Sequence, residues 1–224
     1  MLSVVIITLN EAANIGRCLE SIYDLATEIW IVDSGSSDET EQISKKYNVN
    51  WVEHPFEGHV QQKNYALSLA TQPWILSLDA DEALDDELKS EIKVLLTHSQ
   101  ADVYRIRRLN QYCGRWIRHG TWYPDKRIRL VKNGKAKWGG RNPHDQLIHG
   151  KDVTTQELKG HILHFTIQNL EQHLKQVNYF STLAAQSKYN AGIHFSWLQL
   201  IFNPPFRFIK EYFLKRGFLD GYHG

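Results

Sequence analysis

Hydrophobic positions in the first hundred residues switch between two spacings. Leu2–Thr8 (LSVVIIT) is an unbroken apolar run rich in β-branched residues, the pattern of a strand buried on both faces. Beyond it Ile15, Leu19 and Ile22 recur at helical intervals, which predicts a helix over Asn10–Ile22 with Asn10 as its N-cap. Glu28–Asp33 (EIWIVD) predicts a second buried strand, followed by a turn at Ser34–Asp38 and a helix through about Tyr47. Val49–Glu53 predicts a short third strand, His59–Ala70 a helix, Trp74–Asp79 (WILSLD) a fourth strand and Asp85–His98 a further helix. Strands alternating with helices need crossover connections. The predicted fold is therefore α/β, a Rossmann-like and mainly parallel sheet with helices on both faces.

After residue 100 the pattern changes. Asp102–Arg108 (DVYRIRR) and Arg127–Lys132 (RIRLVK) alternate with a period of two, as half-buried strands do, with five glycines between and after them. Gly160–Phe165 predicts one more strand. From Asn169 to Tyr189 a helical period returns at Leu170, Leu174, Val177, Phe180 and Leu183. The expected organisation is one catalytic-sized unit over 1–166, with halves 1–100 and 101–166, and a helical C-terminal appendage over 167–224.

Composition narrows the class. The 224 residues are 42% hydrophobic and carry 26 Lys+Arg against 25 Asp+Glu, which excludes a disordered chain. Two cysteines, Cys18 and Cys113, make neither a disulfide framework nor a Cys-rich zinc site. No basic segment precedes an apolar stretch at the start, so the expected setting is the cytoplasm. The balanced total hides an asymmetry: residues 1–100 hold 6 basic and 17 acidic side chains, whereas residues 101–150 hold 12 and 3. An acidic first half followed by a basic stretch is compatible with an anionic partner held near the middle, or simply with a solvated basic face.

In an open parallel sheet, ligands bind beyond the carboxyl ends of the strands. Here those ends read Thr8-Leu9-Asn10-Glu11, Asp33-Ser34-Gly35-Ser36 and Asp79-Ala80-Asp81-Glu82. Singly, Asn10 and Asp33 could be no more than helix and turn caps; three polar strand ends on one edge suggest a site. Two aspartates one residue apart offer oxygens to a hard cation that bridges them to phosphate, and a bare carboxylate pair calls for such a cation. Glu82 to Glu87 read instead as an acidic cluster favoured by a helix N-terminus. No Gly-x-Gly-x-x-Gly, P-loop or Gly-x-Ser-x-Gly element occurs, which disfavours a dinucleotide oxidoreductase, a P-loop phosphotransferase and an α/β-hydrolase.

The strings Val4–Glu11 (VVIITLNE), Val32–Thr40 (VDSGSSDET), Gln62–Ala66 (QKNYA) and Leu78–Glu82 (LDADE) resemble, in order and spacing, the successive motifs of glycosyltransferase family 2. That resemblance implies inverting enzymes of the GT-A fold. Trp122–Leu130 (WYPDKRIRL), Trp138, His144-Asp145 and Gly217–Gly221 (GFLDG) look similar to the glucosyltransferases that extend the lipopolysaccharide inner core.

By that resemblance Thr8, Leu9, Asn10, Glu11 and Asp33 would hold the uridine of a UDP-hexose, and Lys63 would meet the base or diphosphate. Asp79 and Asp81 would serve the ribose and a divalent cation, Mg²⁺ or Mn²⁺. An inverting transfer is a single displacement and needs a base for the acceptor hydroxyl. The matching position is Asp145, where the relatives carry Glu, with His144 as an alternative that orients the base or contacts phosphate. Arg127, Arg129, Trp122 and Tyr123 suit a phosphorylated, lipid-linked oligosaccharide acceptor, since guanidinium forks bind phosphate and aromatic faces bind sugar. Single-stranded nucleic acid stacks on similar surfaces, but the acidic first half would repel a polyanion.

The stretch His194–Phe218 has eight aromatics in 25 residues, with Arg207, Lys210, Lys215 and Arg216 against Glu211 alone. It suits either a helix lying at an anionic membrane surface or one docked on the catalytic unit, and the Pro204-Pro205 pair argues against an uninterrupted span. The function expected is transfer of glucose from UDP-glucose to an inner-core heptose at the cytoplasmic face of a bacterial inner membrane. The rivals are the same chemistry on a polyprenyl-phosphate or capsular acceptor, and a nucleotide-binding module without turnover.

Overall fold

The computed structural model describes residues 1–141, 144–192 and 194–224, with the main chain alone at Arg141 and His144. It divides into two compact units, one of residues 1–108 and 126–164, the other of residues 109–125 and 165–224.

The first unit is built on the strands that the apolar runs predict: β1 (Leu2–Thr8), β2 (Glu28–Asp33), β3 (Asn50–Glu53) and β4 (Trp74–Asp79). They lie parallel in the order β3-β2-β1-β4. The register sets Thr8 opposite Asp33 and Ile7 opposite Asp79, so three polar strand ends finish at one level. Helix α1 (Ile15–Ile22) lies on the face of Leu2, Val4 and Ile6. Helix α2 (Thr40–Ser44) packs beside α1, and α3 (His59–Leu69) lies on the opposite face, with Val5, Val32 and Ile75. These two layers are the α/β arrangement expected.

The chain then departs from the prediction. Between β4 and α4 (Asp86–Leu95) it inserts a buried three-residue strand, β5 (Glu82–Leu84), where the acidic run reads as a helix start. The helix does have an acidic cap, but it is Asp85, whose side chain accepts from Leu88 N at 2.8 Å. Strands β6 (Val103–Tyr112), β8 (Asp125–Lys132) and β11 (Thr155–Ile167) extend the sheet to β3-β2-β1-β4-β8-β6-β11-β5. Strand β8 runs antiparallel to β4, and β11 antiparallel to β5. The hairpin β9 (Ala136–Arg141) and β10 (His144–His149), unannounced by any periodicity, forms a second small sheet. Gly160 on β11 passes so close to α4 that an added Cβ would lie 2.3 Å from Leu88 N, a contact only glycine permits.

The second unit is mainly helical. Strand β7 (Arg115–Ile117) pairs with Asn110–Tyr112 of β6. Helix α5 (Leu170–Asn190) starts at Asn169, whose side chain accepts from Gln172 N at 2.9 Å, and none of its described residues is buried. Helix α6 (Trp197–Phe208) contains Pro204 and Pro205 without breaking, and a π-helical segment, Ile209–Leu214, follows. The terminal 3-10 segment is tied back by buried Asp220, which accepts from the main-chain N–H of Arg118 (2.9 Å) and His119 (2.7 Å). No helix among the described residues is long and apolar enough to cross a membrane.

Candidate active site

The three strand ends are laced together by short polar side chains. Asp33, 2% exposed, accepts at Oδ2 from Gly35 N (2.9 Å) and Ser36 N (2.7 Å), a turn that Gly35 completes at φ +93°. Asn10 does not cap α1. It sits at φ +55°, a left-handed conformation that Asn tolerates, and its Oδ1 accepts from Ser37 N at 2.9 Å. Glu11 N donates to Thr40 Oγ1 and Ala12 N to Asp38 Oδ2, so the loops after β1 and β2 form one platform. Thr8 Oγ1, in contrast, is buried without a partner among the described residues, while Leu9 is exposed.

Burial pushes the Glu11 carboxyl up to about 7, with the negative charges of Asp81, Asp38 and Asp79 adding to it and a hydrogen bond from Asn14 opposing. The folded protein therefore keeps a proton that the unfolded chain releases near the ordinary value of 4.5. Stability tied to that proton is fully present below 4.5 and lost as pH rises through about 7. Glu11→Gln is expected to flatten this limb of a melting temperature–pH curve; an unchanged slope would place the titration elsewhere.

Beneath the platform lies a buried ionic cluster. Three consecutive residues of α3 each reach a polar partner, which is why this helix lacks a clean apolar face. Gln62 bonds Ser34 Oγ (3.0 Å) and the His54 carbonyl (3.2 Å). Lys63, 5% exposed, sets its ammonium 2.9 Å from Asp79 Oδ1 and 2.8 Å from Asp145 Oδ2, and 4.4 Å above the Trp138 ring. Asn64 exchanges two 2.9 Å hydrogen bonds with the main chain of Trp138 and so fixes the β9–β10 hairpin that carries Asp145.

Arg129 of β8 completes the cluster. It is 3% exposed, with Nη2 3.0 Å from Asp79 and 2.8 Å from Glu82. Burial alone would raise the Asp79 carboxyl, but the Lys63 ammonium and the Arg129 guanidinium outweigh it and hold Asp79 far below the usual carboxylate range. Burial likewise works against the Arg129 charge, yet Glu82 and Asp79 raise its value above that of a free guanidinium. Two expectations need correction here. Glu82 is not a solvated helix-cap charge; it is 1% exposed and accepts from Asp79 N at 3.0 Å. Nor is Arg129 an acceptor contact, because its Nη2 serves internal carboxylates and its guanidinium lies over Trp138 at 5.3 Å.

The aspartate doublet is not bare either. Asp79 already has two cations, whereas Asp81 points to His164, with Oδ2 3.1 Å from Nε2. A carboxylate and an imidazole about 3 Å apart suit adjacent positions on an octahedral Mg²⁺ or Mn²⁺, a cation that keeps further places for water and phosphate oxygens. Asp81 and His164 are the side chains that would hold a divalent ion here, although among the described residues no group of three or more His, Cys, Asp or Glu side chains is placed to hold one. His164 sits in β11, and in the sequence no periodic or motif signal distinguishes it from neighbouring histidines.

Of the other expected residues, Arg127 is half-buried on β8. Trp122 and Tyr123 belong to the second unit, where the Trp122 carbonyl accepts from Asn110 Nδ2 at 3.0 Å. The side chain of His144 lies outside the described residues.

A glycosyl transferase family 2 profile matches residues 3–202. The lipopolysaccharide core biosynthesis glycosyltransferase LpsC of Rhizobium meliloti is 32% identical over 219 residues, covering 95% of this chain and 80% of that one. The glycosyltransferase RT0209 of Rickettsia typhi, of uncharacterised role, is 30% identical over 233 residues, 100% of this chain and 80% of its own. S. aureus TarS 1-349, solved with UDP, aligns over 49% of this chain and 36% of that one, at 25% identity and a TM-score of 0.43. Motif order, the strand-end site and a profile running through residues 3–202 agree: the chain belongs to glycosyl transferase family 2.

Proposed function

We propose that the protein is a metal-dependent, inverting hexosyltransferase that moves glucose from UDP-glucose to a heptose of the lipopolysaccharide inner core. The observation that carries this reading is the Lys63 ammonium, shared between strand-end Asp79 and hairpin Asp145 at 2.9 and 2.8 Å. One cation then joins the group that would hold the donor to the group that would deprotonate the acceptor. The 32% identity to LpsC, named for lipopolysaccharide core biosynthesis, supports the acceptor class.

In this scheme Thr8, Leu9, Asn10, Glu11 and Asp33 cradle the uridine, and Asp79 meets the ribose. Lys63 offers its charge to the diphosphate, the leaving group of the displacement. A divalent ion at Asp81 and His164 would neutralise the departing diphosphate as the glycosidic bond breaks. Asp145 accepts the proton of the acceptor hydroxyl as its oxygen bonds to the anomeric carbon. Arg127, Trp122, Tyr123 and His144 are assigned to the acceptor.

A panel of nucleotide sugars, screened with Mn²⁺ by thermal unfolding, tests the donor. UDP-glucose at a hundredfold excess over its Kd is expected to add about 2.7 kcal/mol, and EDTA should abolish both the shift and the transfer to heptose-bearing lipopolysaccharide. No shift with any UDP-sugar would overturn the reading.

The membrane setting rests on α6. Gln199, Asn203 and Arg207 recur every four residues as one polar stripe, with Lys210 following in the π-helical segment, while exposed Trp197, Ile201, Phe202, Phe206 and Phe208 occupy the rest. Such a helix lies in an anionic interface rather than across it. The protein is expected to float with phosphatidylglycerol-containing vesicles and not with purely zwitterionic ones, and an absence of flotation with both would remove the membrane from the scheme.

A further inference from the structure

We infer that Glu82 and Arg129 are positioning residues for donor binding, acting together through Asp79. The inference rests on the reading of Asp79 as a donor contact, and it assigns a role to two residues that the scheme above leaves without one.

Glu82 faces Asp79 twice. One oxygen accepts from the Asp79 main-chain N–H at 3.0 Å, which fixes the backbone where β4 ends. The other holds Arg129 Nη2 at 2.8 Å, with Arg108 Nη1 more distant at 3.5 Å. The same Arg129 nitrogen reaches Asp79 Oδ2 at 3.0 Å, so one N–H group bridges the two carboxylates. Arg129 Nε and Nη1 find no hydrogen-bond partner among the described residues, and the guanidinium is stacked on Trp138. The fork is thus half-engaged: Nη2 is shared between Glu82 and Asp79, and the guanidinium carbon lies over the Trp138 ring at 5.3 Å.

Glu82 thereby keeps Arg129 from closing bidentately on Asp79, the geometry a guanidinium and a carboxylate adopt when nothing else competes. Asp79 Oδ1 is left with Lys63 as an ion-pair partner at 2.9 Å but without an aligned hydrogen bond. Asp79 Oδ1 itself is buried, but the side chain as a whole is 24% exposed, so its open edge can still accept a ligand hydroxyl. Without the Glu82 charge, Arg129 would rotate onto both Asp79 oxygens and withdraw them from the donor. Burial supports this division of labour, since Glu82 and Arg129 are 1% and 3% exposed and neither can meet the donor itself.

The test is a double-mutant cycle read by calorimetric titration with UDP in the presence of Mn²⁺. Glu82→Gln keeps an acceptor for the Asp79 N–H and removes the charge. Arg129→Lys keeps the charge and removes the fork. Glu82→Gln is expected to weaken UDP binding by about tenfold, the order of one charge-assisted hydrogen bond, and adding Arg129→Lys, which cannot close as a fork, should restore most of it. The double variant should be no weaker than the weaker single one. In steady-state assays the donor KM should rise while kcat at saturating donor stays within about twofold, a split that general loosening of the fold would not produce. Glu82→Asp, which restores the charge with a shorter reach, should recover part of the loss and covers the case in which Glu82→Gln fails to fold.

Multiplicative losses in the double variant, or unchanged UDP affinity in folded Glu82→Gln protein, overturn the inference while leaving the donor site standing. A wild-type protein that does not bind UDP overturns the donor reading, and the inference with it.

Discussion

Arg129→Met is expected to lower the unfolding free energy by about 3–5 kcal/mol, the cost of leaving a buried charge without its partner. Methionine matches the volume of the arginine stem, so packing against Trp138 survives. What is lost is the cation between Asp79 and Glu82, the latter 1% exposed. Urea denaturation should show the midpoint falling with little change in slope, because the surface exposed on unfolding is nearly the same. A loss below about 1 kcal/mol would mean that water or rearranged side chains replace the guanidinium, and that the cluster is not the rigid unit described. The pH dependence adds a signature. Asp79 is held far below the ordinary carboxylate value, chiefly by Lys63 and Arg129 against the opposing effect of burial, so its stabilisation is present at neutral pH and lost as the solution is acidified. The variant should lose part of that acid sensitivity, since Lys63 remains 2.9 Å from Asp79.

Asp145→Asn is expected to reduce kcat by roughly 10²–10⁴-fold, the range for removing a general base, while UDP still binds. The amide is close in shape to the carboxylate, and Lys63 keeps Asp79 as its counter-ion at 2.9 Å, so the hairpin should remain in place. The contact between Asp145 and Lys63 at 2.8 Å gives the prediction a second part. To take a proton, Asp145 must exchange the ammonium for the acceptor hydroxyl, which is easier once the donor diphosphate attracts Lys63. Single-turnover experiments on preformed donor complex should show the full defect of the variant. Near wild-type turnover would move proton acceptance to another group.

Legibility in the sequence followed the strength of the periodic signal. Strands β1, β2 and β4 have the bounds that their apolar runs predict, because a strand covered on both faces tolerates almost no polar residue. The helical period from Asn169 to Tyr189 was equally plain, and α5 spans Leu170–Asn190. Strand β5 was not, since three residues carry no period and Glu82 stands among acids that do open a helix. The same ambiguity hid the ionic cluster: Glu82 and Arg129 are 47 positions apart, and pairing across a sheet leaves no local trace. Asn10 failed as a helix cap because the loop between β1 and α1 is longer than the apolar spacing implies. Asp33 and Asp79 stood out in the sequence because three strands end together; His164 did not, because its partner depends on β11 lying beside β5, a mixed-sheet detail without a motif.

The amide of Asn64 stands where a neighbouring strand would otherwise bond to Trp138, and this has an evolutionary consequence. Two consecutive residues of α3 hold the hairpin, Asn64 at Trp138 and Lys63 at Asp145, so a change in either strand of the hairpin must be matched by the helix.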